Sequence, residues 1–201
     1  MKFRCIAGRY GGIMIWLAFA APSAMSAQTS PTPAIRSLMV QLSEVGTIGP
    51  DTEKQILELA RKDPDARKYV VQRLPEMIKS GTDEPWLNAV RLAGKLKARE
   101  AIPALLQAMS RSPFPAETYL TFGGVMRLDN DIVAKALSQI GDPAIPSAVD
   151  LLKSADGRIR GRAVLILRNI GSPAARKVLQ DRLPHETDPE LKKLIHESLH
   201  P

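Results

Sequence analysis

The string Ile140-Gly141-Asp142-Pro143-Ala144 returns 30 residues later as Ile170-Gly171-Ser172-Pro173-Ala174, and this recurrence constrains the fold more than any other feature of the chain. A fixed period of this length means that one supersecondary unit is copied, and that each copy buries its apolar face against the next. A related junction, Leu96 to Pro103, matches Ile140 to Pro146 with one residue more, both ending in Ile-Pro, at a spacing of 44. The longer step requires an insertion within one repeat. Residues 112–130, SPFPAETYLTFGGVMRLDN, are the least repeat-like stretch and supply it.

The repeated unit is helical. Ile35, Leu38, Met39 and Leu42 recur at i, i+3, i+4, i+7, as do Ile102, Leu105, Leu106 and Met109, and again Ile145, Ala148, Val149 and Leu152. Each set lays one apolar stripe along a helix. Asp63-Pro64, Asp142-Pro143, Ser172-Pro173 and Asp188-Pro189 mark helix starts: the side-chain oxygen accepts an orphan N–H, and Pro has none to leave unpaired. Gly141 and Gly171 follow apolar segments, where a left-handed C-terminal cap is wanted. The helix pairs expected are 34–46 with 51–62, 64–79 with 83–97, 99–111 with 131–140, 142–154 with 157–170, and 172–183 with 188–199. Pro75 should kink its helix or end it early. With 44% hydrophobic residues but only 4% aromatic, the composition also favours close-packed helices over sandwiches or barrels.

The first 27 residues differ from everything after them. Lys2, Arg4 and Arg9 precede an apolar run from Ile13 to Ala21, which leads into the small-residue stretch PSAMSA. This is the pattern of a cleavable signal peptide, with cleavage expected after Ser26 or Ala27. The apolar run is too short for a membrane anchor, since a spanning helix needs about 20 residues. Contact with the membrane is therefore expected only transiently, through residues 1–27. The only cysteine, Cys5, lies in this leader, so the exported chain has no disulfide and relies on its own core. Removing three basic residues with the leader leaves 25 − 21 = +4, a charge that favours solubility without specifying a nucleic-acid partner. Residues 28–33, QTSPTP, read as a linker, and residues 34–201 as the repeat domain with its insertion at 112–130.

Two words carry a family likeness: Ala136 to Pro146, ALSQIGDPAIP, and Asp156 to Val164, DGRIRGRAV. They resemble HEAT repeats, particularly the short bacterial type called phycobilisome-lyase HEAT-like, over about 83–199 and more weakly over 34–82. The second word follows the family's run of Asp, hydrophobe-Arg and small residue, with Ile159, Ala163, Val164, Leu167 and Ile170 at core positions. The resemblance implies an all-α solenoid of about five stacked helix pairs, with protein binding as the commonest role; no cofactor is expected.

Three places carry candidate chemistry. The insertion holds Phe114, Tyr119 and Phe122, three of the five aromatics beyond residue 27, the others being Tyr69 and Trp86. Large rings anchor protein interfaces, so these are candidate partner contacts; alternatively they pack the longer segment onto its neighbours. Arg158, Arg160, Arg162 and Arg168 lie on one expected helix. Arg158 and Arg162, four apart, are candidates to engage a carboxylate or phosphate together, whereas Arg160 stands where the family's arginine links adjacent repeats. The bland alternative is a solvated face paired with Asp150, Asp156 and Asp181.

The third is His196-Glu197-Ser198-Leu199-His200, which fits the zinc-protease pattern H-E-x-x-H. A third ligand would have to come back from His185, Glu186 or Asp188, and no second domain closes a cleft, so no metal site is expected. No Cys–His pair, G-x-S-x-G or P-loop is found, and the carboxylates Asp63 and Asp65, or Asp129 and Asp131, stand at helix starts where capping explains them. The expectation is a non-catalytic exported adaptor that binds another protein. Binding of an anionic envelope polymer through the arginine helix is the first alternative, and an enzyme, as zinc hydrolase or lyase, the second.

Overall fold

The computed structural model describes residues 33–43, 50–80, 83–111 and 131–200. The expected signal peptide, residues 28–32 of the expected linker and the 112–130 insertion, with Phe114, Tyr119 and Phe122, lie outside them, while Pro33, read as the last linker residue, is the first residue of α1. The described residues are all-helical, without a strand. The helices are α1 (Pro33–Ser43), α2 (Pro50–Lys62), α3 (Pro64–Ser80), α4 (Asp83–Lys95), α5 (Ile102–Arg111), α6 (Ile132–Ile140), α7 (Ile145–Leu151), α8 (Gly157–Ile170), α9 (Pro173–Arg182) and α10 (Pro189–Leu199). Single 3-10 turns at Arg99–Ala101, Asp142–Ala144 and Leu183–His185 join α4 to α5, α6 to α7 and α9 to α10.

The helix starts lie where the capping residues put them. Asp63 accepts the Asp65 N–H at 2.8 Å, Asp131 that of Ala134 at 2.9 Å, Ser172 that of Ala175 at 3.2 Å, and Asp188 those of Glu190 and Leu191 at 2.9 and 3.2 Å. Asp142 differs: it sits inside a 3-10 turn that has no side-chain cap, and α7 begins three residues later. Gly171 ends α8 in the left-handed region, its N–H donating to the Leu167 carbonyl at 3.1 Å. Gly141 also has positive φ, +87°, but an extended ψ. The equivalent position at the earlier junction, 44 residues before Gly141, is Lys97, which is forced to φ +51°.

Pro75 does not end its helix, which runs on to Ser80. A helix-interior Pro costs about 3 kcal/mol, while burying one leucine or isoleucine returns about 1.5–3 kcal/mol. Leu74 and Ile78, on either side of Pro75, are 0% and 1% exposed, so their burial is enough to carry the helix through.

The apolar stripes read from the sequence face inward. Ile35, Leu38, Met39, Leu42, Ile102, Leu105, Met109, Ala148 and Leu152 are buried, as are Ala163, Val164 and Leu167. Consecutive helices pack as α1 with α2, α3 with α4, α5 with α6, α7 with α8 and α9 with α10. Between pairs, α1 packs on α3 and α3 on α5, while α2, α4, α6, α8 and α10 each pack on the next in that series. Among the described residues, substantial contacts join each helix only to helices within three places of it. α4 and α6 approach closely at Gly94, where an added methyl group would sit 2.9 Å from the Ala136 Cα.

Candidate interaction surfaces

The arginines of α8 divide between inside and outside because α8 packs on α6, α7, α9 and α10. Arg162 falls on the side turned to α6, between buried Gly161 and Ala163, and its side chain is only 7% exposed. Its guanidinium donates to both carboxylate oxygens of Asp131, the second at 3.0 Å, and to the Met109 carbonyl at 2.7 Å. Arg158, four residues earlier, is exposed and pairs with Asp156 at 3.0 Å. The expected joint grip of Arg158 and Arg162 on one ligand is therefore not what the structure forms. Arg162 acts inside, because a guanidinium that far from water needs acceptors on all sides and finds them at the ends of α5 and α6.

Met109 lies near the end of α5 and Asp131 immediately before α6, so Arg162 ties together the two helix ends between which residues 112–130 run. Asp131 has a double role: it caps α6 through the Ala134 N–H and holds the guanidinium with the same carboxylate.

Arg160 joins neighbouring units, as its place in the motif implies. It donates to Glu186 at 3.0 and 3.1 Å and to the carbonyls of Ser154 and Ala155, both at 3.0 Å. Glu186 is wholly buried and also accepts from Arg182 at 2.7 Å and from the backbone N–H groups of Thr187 and Asp188. Burial opposes its ionisation, but the hydrogen bonds from Arg160, Arg182, Asp188 and Thr187 outweigh that and hold its pKa at about 2. The hydrogen bond from Arg158 likewise lowers the pKa of Asp156, against the opposing effect of burial. Of the other two acids expected to balance the arginines, Asp150 pairs with Lys153 and Asp181 with Lys177.

At the C-terminus the rings of His196 in α10 and His200 at its cap lie with centroids 4.8 Å apart and planes tilted by 45°, and His196, Glu197 and His200 are exposed. Glu186, one possible third ligand, is already saturated by the two arginines. Among the described residues no group of three or more His, Cys, Asp or Glu side chains could hold a metal ion.

Two grooves open along the packed helices. One, of about 360 Å³, lies where α2, α4 and α6 meet and is lined by Glu53, Arg91, Lys95, Ile132, Lys135, Ala136 and Gln139. Glu53 and Lys95 form an ion pair across it. The other, of about 510 Å³, runs between α1 and α3 past the exposed Val40 and past Tyr69, whose ring carries Arg73 at 4.5 Å. Each groove is lined by residues from separate helices, so no single segment of sequence marks it. The 44-residue offset was the available signal for the first, because it superposes Arg91 on Lys135 and Lys95 on Gln139.

The described residues define an all-helical protein of short helices packed in consecutive pairs. Residues 131–200, which carry α6 to α10, match the family model of HEAT repeats. The match is to HEAT repeats in general and does not single out the short bacterial type. Among solved structures the chain is similar to a crystal structure of an engineered protein, at 21% identity, covering 83% of this chain and 78% of that one, with a TM-score of 0.37, too low to carry an argument. No curated protein matches the chain.

Proposed function

We propose that this chain is an exported, non-catalytic adaptor: an α-solenoid of HEAT-like pairs that binds another protein along its helical surface. The observation that carries the reading is the serial packing, in which, among the described residues, no helix makes a substantial contact beyond its third neighbour. Such an array offers a long surface and no central pocket, and HEAT repeats generally serve protein–protein interaction. The charged leader, short apolar run and small-residue stretch of residues 1–27 support export. Among the described residues no helix is long and apolar enough to cross a membrane.

Three measurements test the parts. Fractionation with N-terminal sequencing should find the chain outside the cytoplasm and beginning at Ala27 or Gln28; an intact leader on a cytoplasmic protein overturns export. X-ray scattering should give a radius of gyration well above the roughly 16 Å of a compact globule of this size; a value near 16 Å overturns the solenoid. Affinity capture from the envelope should recover a discrete protein at fixed stoichiometry. Zinc retained one-to-one through dialysis, with a hydrolase activity abolished by Glu197→Gln, would replace the adaptor with an enzyme. The polymer reading has less support, because Arg160 and Arg162 are committed to internal acceptors.

A further inference from the structure

We infer that the corner where α2 turns into α3 and α4 turns into α5 receives an acidic segment of the partner protein, an inference that rests on the adaptor reading. The two junctions form one corner, because Arg67 of α3 donates to the Leu96 carbonyl at 2.8 Å and α3 packs on the 3-10 turn Arg99–Ala101. Residues 61–68 and 97–100 hold six cations and three acids, 6 − 3 = +3, out of the +4 carried beyond residue 27. Arg67 is committed to Leu96, and Lys62 shares the groove between α1 and α2 with Glu58. Arg61, Lys68, Lys97 and Arg99 remain, all exposed and none in an ion pair among the described residues, with Glu100 as the exposed acid beside them.

Lys97 is an independent observation. Its φ of +51° lies in the left-handed region, which Gly141 and Gly171 enter without strain at the two later junctions. A lysine there strains the backbone and contributes an exposed charge, as expected where the charge has a use. Helix dipoles do not explain Lys68, which follows the first turn of α3, or Arg99, which opens the turn into α5, since helix N-termini favour anions.

The form of the patch selects among anions. Nucleic acid and long anionic polymers need a continuous basic stripe, but at the next junction Gly141 stands where Lys97 does and the exposed charge is Asp142. Stable seating on a bilayer needs an apolar group to insert beside the charges, and among the described residues the corner carries no exposed large hydrophobic side chain. A local, purely charged patch fits a short run of carboxylates on a protein surface.

The test is a titration of a short labelled peptide of alternating Glu and Ser into the mature chain by fluorescence polarisation at low salt, with a peptide of Gln and Ser as its neutral partner. A corner variant (Lys68→Gln, Lys97→Gly and Arg99→Gln) and a control (Arg168→Gln, Arg176→Gln and Lys192→Gln) each remove three exposed cations. An exposed charge contact is worth about twofold to fivefold in affinity. The corner variant should therefore bind the acidic peptide about tenfold or more weakly and the control less than about twofold, with the helical circular dichroism of both unchanged. Lys97→Gly alone should lose about twofold to fivefold, and because glycine relieves the backbone there, that loss is not a loss of fold. Equal losses in the corner and control variants, equal binding of the neutral peptide, or Lys97→Gly binding as tightly as wild type would overturn the assignment. So would heparin, duplex DNA or anionic phospholipid vesicles binding more tightly with the same sensitivity to the corner variant. A partner protein held equally by wild type and the corner variant overturns the corner and leaves the adaptor standing. Absence of any partner overturns the adaptor, while the peptide titration still decides the chemistry of the corner.

Discussion

Removing Arg162 should cost far more than removing any other arginine of α8. The Arg162 and Asp131 side chains are 7% and 1% exposed, and Arg162 also satisfies the Met109 carbonyl. Arg162→Met leaves the Asp131 carboxylate buried with only the Ala134 N–H and strips the Met109 carbonyl of its donor. Breaking a buried pair from one side costs about 3–5 kcal/mol, most of it the cost of the ion left behind. Asp131→Asn keeps the cap, since Asn caps a helix about as well as Asp, and isolates the loss of charge at a similar cost. The double variant leaves no ion in the interior, so its loss should fall short of the sum by about 2–3 kcal/mol. Arg158→Met, which breaks an exposed pair, should cost at most about 1 kcal/mol. Urea unfolding followed by circular dichroism measures all four. Single losses below about 1 kcal/mol, or a double variant that is additive within ~0.5 kcal/mol, would refute the claim that a buried, mutually dependent pair joins α5, α6 and α8.

Glu186 ionises more readily folded than its usual 4.5, at about 2, so its contribution is complete above 4.5 and is lost as pH falls toward 2. Stability should decline across that window in wild type, and Glu186→Gln should be less stable at neutral pH with a visibly flatter decline. Gly94→Ala should destabilise by about 1–3 kcal/mol despite alanine's better helix propensity, because the new methyl meets the Ala136 backbone at 2.9 Å; a gain in thermal midpoint would contradict that packing. Lys97→Gly should stabilise by roughly 0.5–1 kcal/mol by relieving the left-handed lysine, and an unchanged urea midpoint would show that φ +51° carries no strain.

The helices were legible because their signals are local. Asp63, Asp131, Ser172 and Asp188 each bond to an N–H two or three residues away, and the stripe of Ile35, Leu38, Met39 and Leu42 needs only one helix to define it. The junction after α4 hid part of its likeness to the later ones, because Lys97 stands where glycine marks the other two. What the sequence concealed is what long-range packing decides. Whether Arg158 or Arg162 faces solvent depends on where α6 lies, and nothing near position 162 announces a carboxylate 31 residues earlier. The groove between α2, α4 and α6 is likewise assembled from Glu53, Arg91 and Lys135, which meet only when three helices stack. The link from Arg160 to Glu186 is legible because it belongs to the repeat itself.

The bond from Arg162 to both Met109 and Asp131 has an evolutionary reading. A connection whose two roots are gripped from a neighbouring unit can be lengthened, shortened or exchanged without shifting the register of the scaffold on either side. Residues 112–130 occupy such a berth, so a foreign sequence of different length transplanted between the same roots should leave the surrounding repeats in place.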